Sequence, residues 1–318
     1  MPAPTTVSVV IPAYNHGHFV SEAIQSVLDQ DYAPTEIIVV DDGSADDTAA
    51  VVAAFPTVRY HRQANRGLAA ARNAGLAMSR GELVVFLDAD DRLLPGAIST
   101  GAAVLTANPA LGFTAGYSHF ITREGQAQPT MQPVRGGGDA YLALLRRNSI
   151  RNPAMVMFRR EILQRSGAFA SGVDACADYE LYLRISRDHP VAFHETVVAE
   201  YRKHGENMSD NAALMLRQLL EVMRRQRPHL RTPEREQAFG EGLAHIRSYY
   251  GNRVVSQVRR RVRSGAGWRR SMEDVATLAW CHPAGLAEHA ARKLRLWYQG
   301  RRPEGTTPPY NLNDSRKE

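Results

Sequence analysis

Along the first hundred residues, short apolar runs alternate with stretches whose apolar positions recur at helical spacing. Val7 to Ile11 is a β-branched run closed by Pro12 and reads as a strand. Phe19, Val20, Ala23, Ile24, Val27 and Leu28 then return every three or four positions, as on one face of a helix. Glu36 to Val40 is a second strand, ended by Asp41-Asp42-Gly43-Ser44. Ser44 with Asp47 has the form of a capping box and opens a helix reaching Ala54. Val58 to Tyr60 is a weaker strand, and Leu68 to Met78 an alanine-rich helix stopped near Gly81. Leu83 to Leu87 is a wholly apolar strand running into Asp88-Ala89-Asp90-Asp91, and Pro95 suits the first turn of the next helix.

Buried strands alternating with helices predict an α/β fold: a mostly parallel central sheet with helices on both faces. Ligands of such sheets sit beyond the carboxyl ends of the strands. Asp41, Asp42 and the acidic cluster at 88–91 all fall at that edge.

The middle of the chain is less regular. Phe113 to Phe120, Met155 to Phe158, Val191 to Phe193 and Val197 to Tyr201 read as strands, and Arg160 to Ser166 and Asp178 to Arg187 as helices. Gly136-Gly137-Gly138 reads as a flexible joint. From about Asn207 the texture changes to long, arginine-rich helical stretches. The expected organisation is a first domain over residues 1–206, a basic helical C-terminal region over 207–302, and a disordered tail over 303–318.

Composition narrows the class. The 318 residues are 44% hydrophobic and 23% charged, as in a soluble globular protein. A formal net charge of +6 suits an anionic partner without choosing among phosphate, nucleic acid and membrane. The two cysteines are far apart in sequence, so neither a zinc cluster nor a disulfide framework is expected. No basic stretch followed by an apolar core marks a leader, and no apolar run approaches the ~20 residues of a spanning helix. A reduced, cytoplasmic compartment fits best.

Three groups carry candidate chemistry. Asp88, Asp90 and Asp91 repel one another unless a cation sits among them, and oxygen ligands suit Mg²⁺ or Mn²⁺; the same residues can simply form a solvated turn. Asp42, at a strand end before Gly43, can accept hydrogen bonds from a base or ribose, or only shape the turn. Arg72 shares a helical face with Leu68 and Leu76. Its fork matches a diphosphate, or its stem lies over the helix edge with the charge in water.

Taken in order, the segments Ser8-Val9-Val10-Ile11-Pro12-Ala13-Tyr14-Asn15, Glu36-Ile37-Ile38-Val39-Val40-Asp41-Asp42-Gly43-Ser44, Asn65-Arg66-Gly67, Ala71-Arg72-Asn73-Ala74-Gly75 and Phe86-Leu87-Asp88-Ala89-Asp90-Asp91 resemble those of family 2 glycosyltransferases of the GT-A fold. Gly167-Ala168-Phe169, Asp178-Tyr179-Glu180-Leu181-Tyr182-Leu183-Arg184 and Tyr201-Arg202-Lys203-His204 extend the match, which covers about residues 5–206. The resemblance implies an inverting, metal-dependent transferase that moves a sugar from a nucleoside-diphosphate donor, a UDP-sugar foremost, to an acceptor hydroxyl. Polysaccharide, O-antigen-like or glycolipid assembly is the implied setting. Pro12, Ala13, Tyr14 and Asn15 would line the nucleoside pocket, Asp42 would bind the base, and Arg72 would face the diphosphate. Asp88, Ala89 and Asp90 form the D-x-D, with Asp90 near ribose and metal. Asp91 would be a direct metal ligand, His204 would close over the diphosphate or metal, and Asp178 would be the catalytic base. Many members carry Glu-Asp where this chain has Ala177-Asp178. Glu180 then either substitutes in part or lies on the helix surface.

Competing readings are weaker. A sugar nucleotidyltransferase needs a glycine-rich basic loop after the first strand, and Ala13-Tyr14-Asn15-His16-Gly17 is not one. A glycoside hydrolase using Asp178 and Glu180 fails because residues two apart on a helix do not face each other. A non-catalytic nucleotide-binding module stays open. In the C-terminal third, arginines at 259–261, 263, 269 and 270, with Arg292, Lys293 and Arg295, are interleaved with Trp268, Trp297 and Tyr298. Ala287, Ala291, Leu294 and Tyr298 share a helical face. This region either lies on an anionic membrane surface, suiting a lipid-linked acceptor and a peripheral location, or packs on the catalytic domain. Nucleic acid is not expected, since no reading motif accompanies the charge.

Overall fold

The computed structural model describes residues 5–33, 35–132, 138–205, 207–265 and 268–281. The first strand, β1 (Val7–Ala13), is buried along its whole length. Helix α1 (Gly17–Leu28) buries Phe19, Val20, Ala23, Ile24 and Val27 of the stripe its spacing predicts, while Leu28, at the helix end, is exposed. The alternation continues through β2 (Thr35–Asp41), α2 (Thr48–Ala53), β3 (Arg59–Arg62), α3 (Leu68–Met78) and β4 (Leu83–Phe86). There follow β5 (Arg92–Leu93), α4 (Ala97–Ala107), β6 (Phe113–Ile121), β7 (Ala127–Gln132), α5 (Ala140–Arg146), β8 (Val156–Arg159), α6 (Arg160–Arg165), α7 (Ala177–Asp188) and β9 (Ala192–Arg202). Three α-helices follow: α8 (Ala212–Gln226), α9 (Pro233–Arg263) and α10 (Trp268–Cys281).

Among the described residues the strands form one sheet in the order β3-β2-β1-β4-β8-β6-β9-β5, with β7 paired to β6. The half built by the regular alternation is parallel: β2 on β3, and β1 between β2 and β4. Beyond β4 the sheet is mixed, because β8 runs antiparallel to both β4 and β6 and β5 antiparallel to β9. Fully apolar strands carry no mark of direction, so this turnover was invisible in the hydrophobic pattern.

Register places the functional edge. Ala13 pairs with Asp41 and Val10 with Phe86, so the loops after β1, β2 and β4 leave the sheet side by side. Helix α3 lies close over β1: a Cβ on Gly75 would come within 2.2 Å of Val10 Cγ1. Only glycine allows that approach, and it brings Arg72, one turn earlier, down onto the sheet edge.

Local expectations needed correction in four places. The Ser44–Asp47 capping box does not form, and Asp47 caps nothing. Asp46 instead accepts from Thr48 N and Oγ1, at 3.1 and 2.5 Å, and from Gly17 N at 2.9 Å. Pro95 precedes α4 and stays outside it, since Gly96 at φ +80 makes the turn before Ala97. The two expected strands at 191–193 and 197–201 are one, β9, whose register against β6 shifts around Tyr117. The short β5, β7 and α5 had no clear periodic signal.

The chain divides into two compact units, residues 1–250 and 251–318, so the first runs past 206 and takes in α8 and part of α9. Gln226 Oε1 accepts from Tyr141 OH at 3.1 Å, and Gln218 Oε1 from Ala175 N at 2.7 Å, tying α8 to α5 and to the turn before α7. Among the described residues no helix is long and apolar enough to cross a membrane. Of the expected glycine joint only Gly138 is described; the apolar stripe from Ala287 to Tyr298 and the tail at 303–318 lie outside the described residues.

Candidate active site

The nucleoside-side wall is made by two loops latched together. Asn15 adopts the left-handed region at φ 55, which asparagine tolerates better than most residues. It donates its backbone N–H to Ser44 Oγ at 2.9 Å and accepts from Ala45 N at 2.8 Å. Pro12 and Ala13 are buried beneath, and Tyr14 stands 48% exposed at the strand end, its ring open to stack on a ligand. Asp41 is sealed, accepting from Ser44 N at 2.7 Å and Tyr60 OH at 2.5 Å. Against the cost of burial, these donors hold its carboxyl below its ordinary value. Burial and then the Asp41 carboxylate push the Tyr60 phenol up to about 12.

Asp42 spends its oxygens on the loop. Oδ1 accepts from Gln63 Nε2 at 2.7 Å and Arg66 N at 2.9 Å, and Oδ2 from Gly67 N at 2.8 Å. It therefore fixes the entry to α3, and with it Arg72.

Arg72, 2% exposed, donates to Asp88 Oδ1 at 2.6 Å, with its guanidinium over the Phe169 ring at 5.3 Å. Its alternative, an exposed side chain at the helix edge, is excluded. Against burial, Asp88 and Asp178 hold the guanidinium above its ordinary value. Asp178 lies in the first turn of α7, partly buried, and accepts from Tyr179 N at 2.8 Å. Burial raises its carboxyl, Arg72 opposes, and Asp88 adds to the rise. Arg72 Nε and the hydroxyl of Tyr182, four residues after Asp178, are buried with no hydrogen-bond partner among the described residues. Unspent buried donors beside a carboxylate are costly unless a ligand uses them. Glu180 is neither a stand-in carboxylate nor a solvated surface residue: it is buried and paired with Arg184, which also donates to Ser166 O and Ala168 O.

The acidic loop divides its labour. Ala89 is buried, while Asp90 Oδ2 meets His204 Nε2 at 2.9 Å. Asp91 points inward, 1% exposed, accepting from Arg202 N at 2.9 Å and Asn152 Nδ2 at 2.7 Å. Arg202 is fully buried. Its Nε donates to Asp90 O at 2.7 Å, and its two terminal nitrogens to Arg123 O at 2.7 Å and Glu22 Oε2 at 2.6 Å. Its guanidinium lies 4.8 Å from the Phe19 ring centre. Asn152, Arg202 and Glu22 are functional-edge residues that sequence reasoning assigned no role; Arg202 stood in a quoted segment, but nothing marked its partners. No three His, Cys, Asp or Glu side chains converge as around a resident ion among the described residues. The Asp90–His204 pair nonetheless offers a hard oxygen and an imidazole, which fits a divalent ion that takes the rest of its shell from phosphate and water.

A sheet whose strand ends gather a latched loop wall, a buried arginine and an acidic loop defines an α/β protein of the GT-A type. The family model for glycosyl transferase family 2 matches residues 8–167, and the chain belongs to that family. An uncharacterized protein of Mycobacterium tuberculosis is 32% identical over 222 residues, covering 64% of this chain and 68% of the relative. Chondroitin synthase of Escherichia coli is 27% identical, covering 64% of this chain and 30% of its own length, so the chain spans about a third of that enzyme. Among solved structures, S. aureus TarS 1-349 in complex with UDP-GlcNAc superposes with a TM-score of 0.62 at 20% identity, over 75% of this chain and 71% of that one. The mannosyltransferase PcManGT of Pyrobaculum calidifontis, in complex with GDP-Man and Mn²⁺, gives a TM-score of 0.59 at 20% identity, over 94% and 84%.

Proposed function

We propose that the protein transfers a sugar from a nucleoside-diphosphate sugar, a UDP-sugar foremost, to an acceptor hydroxyl with inversion, in the assembly of a polysaccharide or glycolipid. The observation that carries this is Asp178, a carboxyl raised by burial beside a buried arginine with an unspent donor, in a family 2 chain. Tyr14 stacks on the base, against the wall that Pro12, Ala13, Asn15 and Asp42 fix. Arg72 binds the diphosphate and stabilises the charge that grows on it as the glycosidic bond breaks. Asp178 takes the proton of the attacking hydroxyl. Glu180, the other carboxylate of that turn, is tied to Arg184 and supplies no nucleophile, which accords with a single displacement.

Asp90 and His204 would hold a Mn²⁺ or Mg²⁺ ion, which when bound neutralises diphosphate charge. Asp91, both of whose oxygens serve Asn152 and Arg202, is assigned to holding the loop. The test is a thermal-shift panel of nucleotide sugars, UDP-GlcNAc and GDP-mannose included, with and without Mn²⁺. A ligand at a hundred times its Kd adds about 2.7 kcal/mol, enough to raise the melting temperature measurably. A flat response across the panel rejects the reading. Donor hydrolysis without acceptor separates a transferase from a mere binder.

The second unit supports a peripheral membrane contact. Met272 and Trp280 of α10 are 64% and 88% exposed, on a chain segment that also carries Arg263, Arg269 and Arg270. Exposed apolar side chains set among arginines suit an anionic interface. The full chain should float with vesicles containing phosphatidylglycerol, and Met272→Ser/Trp280→Ser should float less. Equal flotation of both assigns this face to some other contact.

A further inference from the structure

Two arginines and a histidine gather where α5 meets α9, and among the described residues none of them pairs with a carboxylate. Helix α5 touches α9 where Gly242 meets Leu145 O: a Cβ there would come within 2.0 Å of that oxygen. Arg146 Nε donates to Glu241 Oε2 at 2.9 Å across the same contact. Two segments leave this junction. One carries Arg147, Ser149 and Arg151. The other carries His245 and Tyr249, which follow Gly242 at three and seven positions and so share its face. The His245 and Tyr249 rings stack at 5.9 Å. Arg151 immediately precedes Asn152, whose amide holds Asp91. Tyr201 interacts electrostatically with Arg151 and with the carboxylates of Asp88, Asp90 and Asp91.

Among the described residues no carboxylate pairs with Arg147, Arg151 or His245. The electrostatic neighbours of Arg151 are Arg147 and the tyrosines 201, 249 and 250, and those of His245 are Arg147 and Arg151. Arg151 is open to solvent. Ser149, between the arginines, has a buried hydroxyl with no hydrogen-bond partner among the described residues. Like charges held together with an unspent donor are a cost that an anion removes.

We propose that Arg147, Arg151 and His245 form a subsite for a phosphate group carried by the acceptor. The role as an acceptor subsite rests on the glycosyl-transfer reading; the binding of phosphate does not. Two guanidinium forks and an imidazole match phosphate oxygens, and Arg72 already stands at the separate position assigned to the donor diphosphate. An acceptor bearing a phosphate, lipid-linked or free, would be held through that group.

Inorganic pyrophosphate is the probe, added to the full chain already saturated with UDP, while the His245 ring signals are followed by NMR. Facing that ring are Arg147 and Arg151 from the loop after α5 and Tyr249 from its own helix. Burial, then the two arginines, hold the imidazole below its ordinary value. A bound anion should raise its titration midpoint and shift its signals saturably. Arg147→Gln/Arg151→Gln should weaken that response at least about tenfold. Vesicles carrying phosphatidic acid form a second arm: loss of vesicle binding in the double variant identifies a lipid phosphate, and loss of the pyrophosphate response alone a soluble one. An absent response, or one unchanged in the double variant, overturns the subsite. So does a response that appears only when UDP is left out, since the anion then sits at the donor position. Failure of the donor panel with this response intact rejects the transferase reading alone.

Discussion

Asp178→Asn should bind donor like the native protein and lose about 10²–10⁴-fold in turnover, the range that a positioned general base supplies. The amide keeps the shape and the contact to Tyr179 N but cannot take a proton. Native activity should also fall as pH drops through the raised value of this carboxyl, because only the ionised form is a base. Linkage gives the opposite sign for stability. A carboxyl whose value is higher folded than unfolded binds more protons in the folded state, so its ionisation costs stability as pH rises through that window. The Asn variant should therefore melt no lower than the native protein at neutral pH. Steady-state kinetics and a melting curve on one sample check both halves. Turnover within a few-fold of native removes Asp178 from the chemistry.

Arg202→Met should destabilise the fold by about 3–5 kcal/mol, as when one partner of a buried ion pair is removed. The guanidinium is fully buried and serves four groups: Asp90 O, Arg123 O, the Glu22 carboxylate and the Phe19 ring. Methionine fills the volume but removes the guanidinium's hydrogen bonds to both carbonyls. Glu22, 43% exposed at its side chain, recovers part of its solvation, which favours the lower end of the range. Arg202→Lys restores charge without the planar fork and should recover only part of the loss. Urea denaturation reads the effect. An unchanged midpoint for the Met variant contradicts the described network.

What was legible in the sequence follows the range of the interactions. α3 matches its expected bounds, Leu68–Met78, because an alanine-rich run between Gly67 and Ser79 needs no tertiary partner to specify it. β1 and β2 were equally plain. The roles of Asp178 and Arg72 were drawn from the family's segments, whereas spacing alone left Arg72 open between two environments. Asp91 faces inward because of Arg202, 111 residues away, and Asn152, 61 residues away, and no local pattern announces such partners. The same distance in sequence hid the pairing of β5 with β9 and the role of Glu22. Ser44 was misjudged for a subtler reason: its hydroxyl had two local uses, and the loop from β1 claimed it through Asn15 N.

β9 pairs antiparallel with β5, placing Arg92 opposite Glu200 and Leu93 opposite Ala199, immediately after the acidic loop. Side chains alternate along a strand, so Glu200 and Arg202 turn to one face and Tyr201 to the other. The acidic loop and His204 thus hang from two strands whose alignment works as a ruler. Adding or deleting one residue between Ala199 and Arg202 would exchange the two faces. It would turn the Arg202 guanidinium outward and carry the imidazole past Asp90. Chain length thus decides where this stretch delivers both the guanidinium and the imidazole.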